Sequence, residues 1–181
     1  MWVGTRKGVS RINLKKNQYN HYLYKTDNLN EPNNNNVYSI TSDTLGRIWA
    51  GAAGGLYLLE TSADFSTGEF KKIPFRDQIT DQDDDRVYNL HIENDTTLWI
   101  ACREGIAEID LSTLNYKFFS HENSSAMPKE ECRVVYSDSR NDLWIGFDGG
   151  GVTKIKRTFK NYEEKYAFIN YKNDPNSSTS I

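Results

Sequence analysis

Histidines, cysteines and one acidic run are the residues of this chain whose types could do chemistry. His21, His91 and His121 stand in different segments, and no two of them have a metal-ligand spacing. They read as structural histidines. Cys102 and Cys132 fit no metal spacing either and read as free buried thiols. The stretch DQDDDR at 81–86 offers oxygens at alternate positions, Asp81, Asp83 and Asp85, as a calcium loop does. It lacks the glycine and the distal glutamate of an EF-hand, so the expectation is a solvated loop without metal. The glycine cluster Gly149 to Gly151 could cradle a phosphate, but it joins two apolar runs and opens no helix, so it reads as a turn. There is no Gly-x-Ser-x-Gly, no His-Glu-x-x-His and no P-loop. The expectation is no catalytic residue, no cofactor and no metal.

The remaining polar residues gain meaning only from the elements that carry them. Trp2, Trp49, Trp99 and Trp144 are all of the tryptophans, and they follow one another at 47, 50 and 45 residues. Each opens the same pattern: MWVGTRKGV, RIWAGAAGGL, TLWIACREGI, DLWIGFDGGGV. Tryptophans kept in phase mark an internal repeat. Before each full copy runs an apolar stretch, VYSITSD at 37–43, VYNLHIEN at 87–94 and CRVVYSD at 132–138. After it come GLYLLE, IAEIDL or GVTKIK, then an aromatic run, FKKIPF, YKFFSH or AFINY; the first copy ends in YNHYLY at 19–24. Four short runs per unit, rich in Val, Ile, Tyr, Phe and Trp and bounded by Gly or polar turns, predict four antiparallel strands, A to D. Gly46 falls where the A–B hairpin needs positive φ, and Asn141 takes its place in the last copy.

Two residues after each tryptophan comes Gly4, Gly51, Ala101 or Gly146. Side chains alternate along a strand, so this small residue shares the tryptophan's face and predicts close approach of a neighbouring sheet. Strand B is apolar on both faces, as a strand covered on both sides is. Stacked four-stranded sheets supply that cover, and radial stacking gives an all-β propeller. The expected units are a partial blade (B to D) with linker at 1–36, blades at 37–86 and 87–131, and a blade with linker at 132–180. They form about four blades of an open arc. The chain begins in strand B, without a signal peptide's apolar core, and Ile181 aligns with the first residue of strand A, Val37 and Val87. The expectation is therefore a fragment of a larger propeller.

The stretch VYSITSDTLGRIWAGAAGGLYLLE resembles the two-component regulator propeller repeat through Asp43, Gly46, Trp49, Gly51, Gly54, Gly55 and Leu56. The copy around Trp99 departs most, with Ala101-Cys102 for Gly-Thr. The resemblance implies a periplasmic segment of a membrane-anchored hybrid sensor. In such a sensor a histidine kinase and phosphorelay domains lie elsewhere, and carbohydrate breakdown products are the signal. It does not imply an enzyme.

In a propeller the B–C turns and the beginnings of strand A meet at one mouth of the channel. That places Arg6, Lys7, Arg103, Glu104, Phe147 and Asp148 on the turns, with Tyr38, Tyr88 and Arg133 lining the wall. Aromatic faces and guanidinium forks suit a sugar or an acidic sugar, and Arg103 is expected to pair a ligand carboxylate. The tryptophans, with Gly46, Gly51 and Gly146, are expected to be structural. Arg47, on the far A–B turn, is expected to matter for neither binding nor fold. The expected partners are an oligosaccharide and either further blades or a second copy of the chain. A net charge of −3 argues against nucleic acid, and no 18-residue apolar run is present to cross a membrane. Two other readings remain open: a propeller scaffold for protein partners, and a propeller lyase or glycosidase.

Overall fold

The structure, a computed structural model, describes residues 1–24, 35–76, 85–160 and 163–173. Ile181 and linker residues 25–34 lie outside the described residues, as do Asp81 and Asp83. Every regular element among the described residues is a β-strand.

The first sheet has three strands, β1 (Trp2–Thr5), β2 (Gly8–Asn13) and β3 (Gln18–Tyr22). The second has four: β4 (Val37–Ser42), β5 (Ile48–Ala52), β6 (Gly55–Thr61) and β7 (Gly68–Ile73). The third repeats the order with β8 (Val87–Glu93), β9 (Thr97–Cys102), β10 (Gly105–Asp110) and β11 (Tyr116–Ser120). The fourth holds β12 (Cys132–Ser137), β13 (Leu143–Phe147), β14 (Gly151–Lys160) and β15 (Glu163–Tyr171). Each is an antiparallel meander, as the run lengths and turn residues require. Gly46 has φ 77° and Asn141 has φ 59°, the left-handed values expected of these turns.

The sheets stack in sequence order, and three core clusters fill the spaces between them. Trp2, Val9 and Tyr22 of the first sheet meet Ile48, Ala50, Tyr57 and Phe70 of the second. Trp49, Leu56 and Leu58 of the second meet Leu90, Leu98, Ile100 and Ile109 of the third. Trp99 and Ile106 of the third meet Val135, Leu143, Ile145 and Ile155 of the fourth. Trp2, Trp49 and Trp99 thus each point at the sheet that follows. Strand β5 is buried at all five residues, whereas β13 alternates between buried and half-buried. The double burial read from the sequence belongs to sheets with neighbours on both sides.

Inner strands are also bolted to one another. Ser39 Oγ accepts the Leu90 amide at 3.1 Å, and Asn89 Oδ1 accepts the Val135 amide at 3.0 Å. Polar residues at the same place in otherwise apolar strands are thereby satisfied by the next sheet.

The small residue after each tryptophan has the anticipated reason. A β-carbon on Gly51 would lie 2.7 Å from Val87 Cγ1 and 2.9 Å from the Val87 carbonyl oxygen, on the next sheet's inner strand. On Gly4 it would lie 2.8 Å from Val37 Cγ1. Where the third sheet carries Ala101 instead of Gly, the facing cluster holds Cys132 at the position of Val87, a smaller side chain. Gly51→Ala should destabilise the protein by about 1–3 kcal/mol through overpacking, measured by denaturant unfolding. An unchanged midpoint would contradict the close approach.

On the opposite edge, a carboxylate six residues before Trp49, Trp99 and Trp144 accepts the indole N–H. The pairs are Asp43–Trp49 at 3.0 Å, Glu93–Trp99 at 2.8 Å and Asp138–Trp144 at 3.0 Å. Asp43 also takes the Leu45 and Arg47 amides at 3.1 and 2.9 Å, closing the A–B turn. Arg47 is therefore no bystander: it pairs with Asp43 at 2.5 Å and reaches the Leu111 carbonyl of the third sheet at 2.9 Å. The expectation that Arg47 is dispensable for the fold is corrected by that inter-sheet link.

The Trp144 hydrogen bond, with the Arg140 and Asp142 amides, holds the Asp138 carboxyl down at about 2 against an ordinary 3.8. A depressed folded-state value means that this turn's contribution is present above the unfolded pKa and is lost as pH falls through the folded one. The stability difference between wild type and Asp138→Asn should shrink as unfolding is followed downward towards pH about 2. A difference independent of pH would show that the charge is not what matters.

Candidate functional site at the inner-strand edge

The B–C turns and the segments entering the inner strands lie on one edge of the stack. Backbone bonds tie them together: Gly8 N to Asn35 O at 2.7 Å, Ala53 N to Asn36 O at 3.0 Å, Arg103 N to Arg86 O at 3.2 Å and Asp148 N to Glu131 O at 2.9 Å. Just inside this edge the pairing of each inner strand slips by one residue, between Val37 and Ser39, Val87 and Asn89, and Cys132 and Val134. The extra residues are Tyr38, Tyr88 and Arg133. A bulge re-aims the side chain of the residue it inserts.

The three re-aimed side chains form a ladder across three sheets. The rings of Tyr38 and Tyr88 are 5.4 Å apart, and the Arg133 guanidinium lies 4.2 Å from the centre of the Tyr88 ring. Tyr38 stays 42% exposed. Tyr88 donates its hydroxyl to Glu131 at 3.1 Å. Burial, then this hydrogen bond, raises the phenol's pKa. Glu131 also pairs with Arg103 at 3.0 Å and with Arg133 at 2.7 Å, and Arg133 pairs in turn with Asp148 at 2.8 Å. The Asp148 hydrogen bond chiefly raises the pKa of Arg133, so its charge is secure.

A second charged group lies beside the first. Arg76 sits between Asp85, at 2.9 Å, and Glu104, and Lys72 reaches Asp85 at 3.1 Å. The Arg76 and Asp85 side chains are both 7% exposed. The expectation of a solvated loop therefore fails at Asp85, whose carboxylate is buried as a counter-ion to Arg76.

Of the residues singled out in the sequence, Tyr38, Tyr88, Arg103, Arg133 and Asp148 come together, and Glu104 stands in the adjoining ion pair. Arg6 and Lys7 are exposed on the β1–β2 turn and hold no carboxylate among the described residues. Phe147 is corrected: it is the last residue of β13, 9% exposed, and packs in the core with Trp99 and Cys132 instead of reaching the mouth. Its ring follows the strand's alternation inward. Sequence reasoning missed Glu131, the acceptor at the centre of the ladder, and Arg76. The signal for Glu131 was an acid placed immediately before an inner strand.

The histidines are all engaged: His21 with Ser10 at 2.8 Å, His91 with Ser137, and His121 with the Met127 carbonyl at 2.6 Å. Cys102 and Cys132 are buried free thiols in separate clusters, and burial pushes Cys102 up to about 12. Among the described residues no group of three or more His, Cys, Asp or Glu is placed to hold a metal ion. What the edge offers is an aromatic face with fixed donors and acceptors around it, which is the equipment of a binding site.

Fold and site together define the described chain as an arc of propeller blades with a tyrosine–arginine ladder at the inner edge. No protein-family model and no curated sequence matches it. Solved structures do. The extracellular domain of the hybrid two-component system BT4673 from B. thetaiotaomicron superposes with a TM-score of 0.75 at 20% identity, over 99% of this chain and 22% of that one. The corresponding domain of BT3049 from the same organism gives 0.61 at 18%, over 92% and 21%. Virginiamycin B lyase from Staphylococcus aureus gives 0.59 at 15%, over 97% and 53%. These likenesses establish the propeller fold. The chain spans about a fifth of the length of the two-component domains.

Proposed function

We propose that this chain is a ligand-sensing propeller segment of a two-component sensor, lying outside the cytoplasmic membrane, and that its inner-strand edge takes a carbohydrate-derived ligand. The observation that carries the reading is the ladder of Tyr38, Tyr88 and Arg133, built by three bulges in register. Three repeats spend an irregularity at the same place, and each brings an aromatic or guanidinium group to one edge. Likeness to extracellular domains of two-component systems supports the sensing role and the location. In that setting the kinase and phosphorelay chemistry belongs to other domains. The lyase reading draws on a likeness of fold only, and Glu104 and Asp148, the acids it would use, are engaged in ion pairs. Calorimetric titration against a panel of oligosaccharides tests the proposal. Tyr38→Ala should weaken any binding found by about tenfold or more. Binding untouched by Tyr38→Ala and lost on substitution at the A–B turns would place the site on the wrong edge.

A protein–protein role has its own observation. The Trp144 face of the last sheet, which in the second and third sheets is covered by the next sheet, leaves Val134 at 44%, Tyr136 at 60% and Tyr171 at 42% exposed. A further blade or a second copy of the chain would fit there. Sedimentation of the isolated chain should show association that rises with concentration, and a strictly monomeric protein would count against it.

A further inference from the structure

We infer that the ligand taken at the inner-strand edge is an uncharged saccharide stacked on Tyr38, with Arg103 and Arg133 serving as internal counter-ions instead of carboxylate receptors; this rests on the carbohydrate reading above. The guanidiniums are already occupied. Arg133 holds Asp148 through both Nη2 and Nε, at 2.8 and 3.2 Å, and its Nη2 is also 2.7 Å from Glu131. Arg103 Nε holds the other oxygen of Glu131 at 3.0 Å. A ligand carboxylate arriving at Arg133 has to displace Asp148 while Glu131 stays beside it, and like charges brought that close repel.

A hydroxyl meets no such obstacle, because it both donates and accepts. Salt-bridged carboxylates keep lone pairs to offer, and the Arg133 guanidinium keeps N–H groups to donate. Asp148 and Arg133 side chains remain 63% and 41% exposed, so these atoms are within reach of solvent and of a sugar. The ring of Tyr38 is backed by Tyr88 at 5.4 Å, whose hydroxyl is pinned by Glu131. The result is a fixed apolar plate bordered by compensated charge. An amphipathic sugar ring matches that border and an anion does not. Exposed cations without a carboxylate among the described residues do occur on the same edge, at Arg6 and Lys7 of the first sheet, and an acidic ligand would have to be held there.

The test is calorimetry on the full chain with two sets of probes. One holds neutral hexasaccharides of glucose, xylose, mannose and fructose units, and the other holds galacturonate and glucuronate hexasaccharides. For the wild type, some neutral member should bind at least about tenfold tighter than any uronate. Tyr38→Ala should lose about tenfold or more of that affinity, and Arg103→Ala less than about threefold. Asp148→Asn releases one of Arg133's two carboxylates and should improve uronate binding by about threefold or more. Melting temperatures confirm that each variant folds, and the wild-type comparison decides the matter without any variant. A uronate that binds the wild type more tightly than every neutral probe, or binding abolished by Arg6→Ala and Lys7→Ala, overturns this inference and leaves the carbohydrate reading standing. Binding of neither set overturns both.

Discussion

Trp99→Ala is expected to destabilise the protein by about 3–5 kcal/mol, whereas Trp144→Ala should cost clearly less. The two residues hold the same place in their repeats and both hydrogen-bond a carboxylate six residues upstream. Their surroundings differ. Trp99 is 0% exposed, between the third and fourth sheets, and its removal empties a site lined by Phe119, Tyr166 and the Cys132 cluster. Trp144 lies on the outer face of the last sheet, half-buried, with Tyr171 at 5.7 Å as its aromatic neighbour. No sheet among the described residues covers that face of Trp144. Urea unfolding of both variants decides the matter. Equal losses would mean that the Trp144 face is covered in solution.

Asp85→Ala should cost about 3–5 kcal/mol, the range for removing one member of a buried ion pair. Arg76 and Asp85 are both 7% exposed, and Arg76 Nε has no partner among the described residues. Without Asp85, the buried guanidinium would keep, among the described residues, only the Glu104 carboxylate, which is 45% exposed. The double variant Arg76→Met with Asp85→Ala should recover much of the loss, since no charge is then stranded. A single variant as stable as wild type would show that the pair is open to water. A loss that the double variant leaves unrelieved would show that shape, not charge, governs this corner.

The site was partly legible. Tyr38, Tyr88 and Arg133 could be placed on one edge from strand order alone, because each follows the first residue of an inner strand. Their bulged conformation could not, since no glycine or proline flags it. Phe147 was misplaced by counting it into a turn when the strand runs one residue further, which turns the ring inward. Glu131 and Arg76 escaped notice for another reason. Charged residues next to a strand read as solvent-facing, and only the approach of a neighbouring sheet shows that they are paired. Arg103 illustrates the same limit: the residue type suggested a receptor for carboxylates, and the structure had already supplied the carboxylate.

By itself the sequence determined the repeat, the four-strand unit and the turn chemistry. Tryptophan phase, period-two alternation and the need for positive φ at Gly46 and Asn141 are local properties of the chain, and the backbone obeys them wherever the sheets go. The steric logic of Gly51 was local in origin as well, a small residue sharing a face with a large one. Tertiary structure alone decided which faces are covered and which charges are neutral. Trp49 and Trp144 carry the same signature, yet one is enclosed and the other sits at the end of the stack. Asp85 and Glu131 are both acids before an inner strand, yet Asp85 is buried with Arg76 and Glu131 holds the ladder. Arg76 reaches Glu104 across 28 positions of sequence and Tyr88 reaches Glu131 across 43, because the stacking of sheets brings them together.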